Sequence, residues 1–269
     1  MSNIKTRKNY NKKNLDDYGC QVLKQVRIYR HGQAEHNLED PKGKILPNGK
    51  RSSKSFIKDS LLTENGKEDA KEIDLSWLKN SKNKIAFVSP LKRTLQTATI
   101  AIESNKIKID ILSYENLREV NNHHKCNHRG KIEVTENLFK NVDFSLIKTQ
   151  NGPKSGLEIK KDFRDVIFLL RKRSKKILEF LKERKETDIA IFSHGRLMAS
   201  LLTEIMNIGK NYTIDPPGNG EYILLLLCKD KLTKKVYWTV DTKTMKDDKH
   251  GRGGSSELKI SKILPNYDS

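Results

Sequence analysis

The sequence predicts an α/β protein of three layers, a mainly parallel, doubly wound sheet with helices on both faces. Two observations carry that prediction. Short apolar runs alternate with helical patterns: Ile85 to Ser89 leads into an amphipathic stretch over 90–104, and Asp188 to Ser193 leads into another over 194–205. Three apolar runs also end alike, in Arg30-His31-Gly32, in Ser89-Pro90 with Arg93 close behind, and in Ser193-His194-Gly195. In a parallel sheet such ends share one edge, where ligands bind, so residues far apart in sequence are expected to meet there.

Taken in order, residues 1–19 are polar, Lys-rich and without periodicity, the pattern of a basic tail. A strand is predicted over 23–29, where Val26, Ile28 and Tyr29 suit a pleated, buried segment. Residues 38–60 hold Pro, Gly and Ser and read as a loop. Leu61 to Lys79 reads as a helix capped by Thr63, and 106–112 alternates like a strand. The stretch 113–157 is irregular. The longest helix is predicted over 156–184, where Ile159, Phe163, Val166, Ile167, Leu170, Ile177, Leu178 and Leu181 form one stripe. Its basic run, 171–176, looks like a nucleic-acid patch, but Ser174 takes the core-facing slot and Lys172, Lys175 and Lys176 fall opposite, so a solvated face is expected. Two strand-like runs, 222–228 and 236–240, close the domain, which is set at 20–242. The remainder, 243–269, is a charged tail with one short apolar run, 258–264, that can dock.

Composition narrows the class. With 269 residues, 35% hydrophobic and 32% charged, the chain has enough apolar mass for one folded domain inside a very polar surface. Its longest apolar run is strand-sized and its start carries no signal-type segment, so no membrane contact and a cytoplasmic location are expected. Three widely spaced cysteines, Cys20, Cys126 and Cys228, argue for free thiols rather than a disulfide framework. The net charge of +19 favours anionic partners, and charge alone leaves open nucleic acid, an acidic membrane lipid and a small phosphorylated substrate.

Two Arg and two His converging on one edge make a pocket for a phosphoryl group. Arginine offers paired donors to phosphate, and a histidine beside cations is biased toward the neutral imidazole that a nucleophile needs. The loop cluster His123, His124, Cys126 and His128 lacks the second ligand pair of a structural zinc site, so no metal and no other cofactor are expected.

The residues resemble a known family, the histidine phosphatase superfamily, in its phosphoglycerate mutase-like clan. The resemblance rests on Arg30-His31-Gly32 with Asn37, on Leu62, Thr63, Gly66 and Ala70, on Ser89 to Ala98, on Leu117-Arg-Glu119, and on Phe192-Ser-His-Gly195. Cys126-Asn-His-Arg129 and Val142 to Ile147 are similar to the fungal and plant phosphoglycerate mutase-like branch, although Asn127 stands where that branch usually has Asp. The resemblance spans about 22–230 and implies a phosphoglycerate mutase-like fold and a metal-independent phosphomonoesterase. It implies Nε2 of His31 as the nucleophile forming a phosphohistidine, and Arg30, Arg93 and a protonated His194 as the charge clamp. Glu119 is implied as general acid and base, and Asn37, Gly195 and Arg129 are expected to contact substrate.

Two rivals come from elsewhere. A phosphoglycerate mutase shares the chemistry, but Glu119 is followed here by Val-Asn-Asn-His-His rather than the mutases' Arg-His-Tyr-Gly stretch. A catalytically retired, basic polyanion-binding protein fits the charge, but a retired site should have lost residues that are all present here.

Overall fold

The computed structural model describes residues 20–38, 57–120, 124–152, 163–208, 212–214 and 217–241, with the short strands 44–45, 51–52 and 260–262. Its main sheet has six strands in the order β5-β4-β6-β1-β8-β9. They are β1 (Cys20–Arg30), β4 (Lys84–Val88), β5 (Ile111–Ser113), β6 (Asp188–Ser193), β8 (Tyr222–Asp230) and β9 (Val236–Val240). β1, β4, β5 and β6 run parallel, β8 is antiparallel to β1, and β9 turns back along β8. Among the described residues, two small pairs lie outside this sheet: β2 (Lys44–Ile45) with β3 (Arg51–Ser52), and β7 (Tyr212–Ile214) with β10 (Ile260–Lys262). Of the apolar run 258–264, the second pair places Ile260–Lys262 alongside Tyr212–Ile214.

The doubly wound arrangement follows from strand order. From β1 the chain steps to β4 and then β5, away from β1, and then returns to β6; right-handed crossovers therefore place the first helices on one face and the later ones on the other. Accordingly α1 (Glu64–Glu72) packs with α2 (Lys92–Ser104), and α4 (Phe163–Glu183) packs with α5 (Gly195–Ile205). With both faces covered, the central strands need apolar residues at every position rather than at alternate ones. Ile189, Ala190, Ile191 and Phe192 of β6 are all fully buried, as are Ala86, Phe87 and Val88 of β4.

The basic run of α4 behaves as its periodicity predicts. Lys172, Lys175 and Lys176 are exposed, while Ser174 is buried with its hydroxyl donating to Ser200 Oγ at 3.0 Å. Other boundaries differ. The strand predicted over 23–29 extends over Cys20–Arg30. The helix predicted over 61–79 is capped by Thr63 but stops at Glu72, because the Asn105 side chain donates to the Ile73 carbonyl and accepts from Leu75 N–H, holding that stretch extended. The strand predicted over 106–112 shrinks to Ile111–Ser113, since Lys106 takes a left-handed φ of 52° as the chain leaves α2. The irregular 113–157 segment contains a short helix, α3 (Ile132–Leu138). The start of the helix predicted over 156–184 lies outside the described residues up to Phe163.

Candidate active site

β1, β4 and β6 deliver their carboxyl ends side by side. Arg30 pairs with Ser193 in the β1–β6 register, and Ser89 N–H donates to the Phe192 carbonyl at 3.0 Å. This puts His31, Ser89 and His194 at one edge, with the His31 and His194 ring centroids 5.2 Å apart.

The loop carrying His31 is held tightly. Gly32 N–H donates to Thr97 Oγ1, and Gln33 N–H donates to Asp69 Oδ2 at 3.0 Å. Gly66 of α1 lies directly against it: a Cβ on Gly66 would sit 1.8 Å from the Gln33 carbonyl oxygen, and one on Gly32 would sit 2.3 Å from the Gly66 oxygen. The glycine of the first helix is thus required by backbone packing against the His31 loop. On the other side, Glu221 and Gly220 bond to the Arg30 backbone, Asn219 Nδ2 donates to the His31 carbonyl, and the Pro217 carbonyl accepts from Arg30 Nη1 at 2.6 Å.

His31 is 3% exposed, and its Nδ1 lies 2.8 Å from the Gly32 carbonyl oxygen. A carbonyl only accepts, so Nδ1 carries the proton and Nε2 keeps its lone pair. Burial, then Arg93, then Arg30 push the His31 pKa well below the ordinary value, so the ring is neutral.

Arg93, 1% exposed, gives Nη1 to the Cys126 carbonyl at 2.6 Å and Nη2 to Asn127 Oδ1 at 2.9 Å and His194 Nδ1 at 3.1 Å. Because guanidinium only donates, His194 Nδ1 accepts, and its proton sits on Nε2, which donates to Ser89 Oγ at 2.8 Å. Burial, with Arg93 second, also holds the His194 pKa well below 6.5. The expectation of a protonated His194 therefore gives way: this ring is neutral, and the positive charge resides on Arg30 and Arg93. Each of those guanidiniums keeps a buried Nε without a partner. Two cationic groups beside two neutral imidazoles, with the Glu119 carboxylate acting on both guanidiniums, form a site whose donors suit a phosphoryl group.

Glu119 is brought in from the opposite wall. Ser193 Oγ donates to the Leu117 carbonyl at 2.8 Å, fixing the turn, and the Glu119 carboxylate accepts from Val120 N–H and from Arg196 N–H at the start of α5. Gly195 is the first residue of α5 and is buried beside it.

Two of the expected substrate contacts are placed differently. Arg129 is buried with Nε on Glu115 and its remaining nitrogens on Thr149 and on the carbonyls of Gly130, Gln150 and Asn151. Its donors are spent fastening the 124–152 loop, which in turn holds Arg93. Asn37 is exposed, and its Oδ1 accepts from Ala34 N–H at 2.9 Å, closing the turn after His31. Among the described residues, no group of three or more His, Cys, Asp or Glu could hold a metal ion.

The sequence reading omitted several members of the site. His36 is half-buried with its ring centroid 5.8 Å from that of His31. Ser89 ends a strand and was read only as part of a motif. Asp59, buried and at a left-handed φ of 45°, accepts from Lys92 N–H at the start of α2 and from Gly130 N–H. His36 could have been found from its spacing to His31; nothing in the 38–60 loop marked Asp59.

Comparison with known proteins shows the family. The sequence profile of the histidine phosphatase superfamily (branch 1) matches residues 26–232. Phosphoglycerate mutase-like protein 1 of Arabidopsis thaliana is 29% identical over 224 residues, covering 71% of this chain and 74% of the relative. Phosphoglycerate mutase-like protein 2 of the same plant is 24% identical over 249 residues, covering 71% and 68%. The solved structure of mycobacterial hydrolase 1 superposes with a TM-score of 0.50 at 15% identity, over 81% of this chain and 97% of that one, a likeness of fold. The chain belongs to the histidine phosphatase superfamily, branch 1, and is an enzyme acting on phosphate esters.

Proposed function

We propose that the chain is a metal-independent phosphatase that hydrolyses a phosphomonoester through a phosphohistidine on His31. The observation that carries this reading is the 2.8 Å bond from His31 Nδ1 to the Gly32 carbonyl, which leaves Nε2 as the lone-pair nitrogen beside two guanidiniums. Nε2 attacks phosphorus, the P–N bond forms and the ester P–O bond breaks. Arg30 and Arg93 take up the charge on the equatorial oxygens with their guanidinium donors. His194 adds its Nε2–H by turning that donor from Ser89 to the phosphoryl group. Glu119 protonates the leaving oxygen and then takes a proton from the water that cleaves the P–N bond. Such proton transfers contribute roughly a hundred- to ten-thousand-fold in rate.

The test is to mix the enzyme with a 32P-labelled aryl phosphate and quench in alkali, where phosphohistidine survives. Label on the wild type and none on His31→Ala supports the reading. Unchanged activity of His31→Ala overturns it. Incubation with 3-phosphoglycerate separates hydrolysis from mutase transfer, because isomerisation faster than phosphate release assigns the phosphoryl group to a second hydroxyl rather than to water.

A further inference from the structure

His36 is the third imidazole of the site and the proposed chemistry does not use it. It stands in the short helical turn Glu35–Leu38 that follows the His31 loop, and it is half-buried where His31 and His194 are buried. Of the three rings it is therefore the one at the mouth, beside the path of whatever is attached to the phosphate.

Its hydrogen bonds determine its protonation. Asn37 Oδ1 accepts from Ala34 N–H, so the Asn37 amide is fixed with Nδ2 turned toward His36 Nε2 at 3.3 Å. Nδ2 only donates; Nε2 therefore carries a lone pair, and the proton is on Nδ1, 2.7 Å from Ser60 Oγ. Burial, Arg93 and Arg30 lower the His36 pKa to about 3, in keeping with a neutral ring. The Ser60 bond is short and its hydroxyl is buried, whereas the Asn37 bond is long and exposed. Nε2 is the nitrogen an incoming group can take over.

The surrounding polar groups make that atom unusual. Arg30 and Arg93 are donors suited to the phosphoryl oxygens, and the nearby amides also present donors, Asn37 Nδ2 to His36 Nε2 and Asn219 Nδ2 to the His31 carbonyl. His31 Nε2 is reserved for phosphorus, and both Glu119 oxygens accept from backbone N–H groups. A neutral ring nitrogen at the mouth, amid donors, is an acceptor for a substrate O–H.

We infer that His36 is a specificity-determining residue that accepts a hydrogen bond from a hydroxyl of the ester's alcohol portion, so that the enzyme favours phosphorylated polyols over esters without a neighbouring hydroxyl. The inference rests on the phosphatase reading above and deepens it. With phosphorus about 3–3.5 Å from His31 Nε2 before attack, a ring centred 5.8 Å from His31 is within the length of a short alcohol chain.

Glycerol 1-phosphate and propyl phosphate differ only in two hydroxyls, and the readout is the ratio of their kcat/KM values. Wild type is expected to favour glycerol 1-phosphate. His36→Phe keeps a ring without an acceptor, and the ratio should fall about three- to tenfold, the value of one neutral hydrogen bond. His36→Gln presents an oxygen near the Nε2 position and should keep most of the preference. His36→Asn, whose short amide reaches only toward Ser60, should lose it, and this pair decides the matter even where the Phe variant does not fold. A wild type with no preference, or a ratio that is the same in the Gln and Asn variants, overturns the inference. Failure of the phosphatase reading looks different: no alkali-stable label on His31 and no turnover of either ester.

Discussion

Arg93 and His194 are joined by a single hydrogen bond of 3.1 Å that runs from guanidinium to imidazole, and the same histidine passes its own proton to Ser89 Oγ at 2.8 Å. The direction of that relay explains how a site with two buried cations keeps its histidines uncharged. It also sets the response of the fold to pH. His31, His36 and His194 all have folded pKa values below the ordinary 6.5, while the unfolded chain titrates near it. Below about pH 6.5 the unfolded state binds protons that the folded state refuses. Stability is therefore full above that pH and falls as acid is added, for His36 until about 3. Asp59, pushed upward by burial, acts in the opposite sense, but it is one group against three. The denaturant midpoint should be lower at pH 5 than at pH 7, a window above the ordinary carboxylate range, and added inorganic phosphate should raise it. Equal midpoints would mean that the three rings are charged in the folded protein.

Arg93→Lys should retain the positive charge and lose most of the activity. An ammonium cannot reach the Cys126 carbonyl, Asn127 Oδ1 and His194 Nδ1 in one plane while also facing a phosphoryl group. We expect kcat/KM on an aryl phosphate to fall by on the order of a hundredfold or more. Activity within a few-fold of wild type would show that Arg93 serves only as a point charge.

How much of this was legible beforehand depended on whether the signal was periodic or local. β6 and α5 could be read residue by residue because strand and helix each carry an unbroken apolar pattern, and the strand ends carried Arg30, His31 and His194 with them. Helix α1 was overread because Ile73, Leu75 and Leu78 continue a helical spacing, although Asn105, thirty residues on from Leu75, supplies the bonds that break it. Arg129 reads as a substrate contact for a related reason: a charged residue in a polar loop looks available, whereas its donors meet Glu115, Thr149 and the surrounding carbonyls. His36 and Asp59 matter through contacts with residues elsewhere in the chain, and such contacts leave no local pattern.

Arg129→Ala should therefore damage the fold rather than the binding of phosphate. Removing a buried guanidinium leaves Glu115 with Arg118 as its arginine partner and strips several carbonyls of their donor, at a cost of about 1–3 kcal/mol for each buried group left unsatisfied. Thermal melting should show a clear drop in Tm, while inhibition by inorganic phosphate is unchanged in the fraction that remains folded. A stable variant with weakened phosphate inhibition would restore Arg129 as a substrate ligand.

Gly66→Ala is expected to be among the most damaging small substitutions in the chain. A methyl group 1.8 Å from the Gln33 carbonyl oxygen meets the backbone of Gln33 itself, so α1 or the His31 loop must move. Overpacking of this kind costs typically 1–3 kcal/mol or more. Because the loop that shifts is the one that orients His31, the surviving folded protein should also lose activity. A crystal structure of the variant with the loop unmoved, or full activity at wild-type stability, would contradict the packing argument.

Glu119→Gln separates the two proton transfers assigned to this carboxylate. With a dinitrophenyl phosphate the leaving group departs without an acid, so the variant should still release about one equivalent of phenolate per site in a rapid burst. Water attack on the phosphohistidine then lacks its base, and steady turnover should fall roughly a hundred- to ten-thousand-fold. With an alkyl phosphate the first step itself needs the acid, and the burst should vanish. Stopped-flow absorbance on the aryl ester, with rapid-quench measurement of alcohol release on the alkyl ester, distinguishes these outcomes. Loss of the aryl burst in proportion to steady turnover would place the main role of Glu119 elsewhere, in holding the α5 terminus through Arg196 N–H.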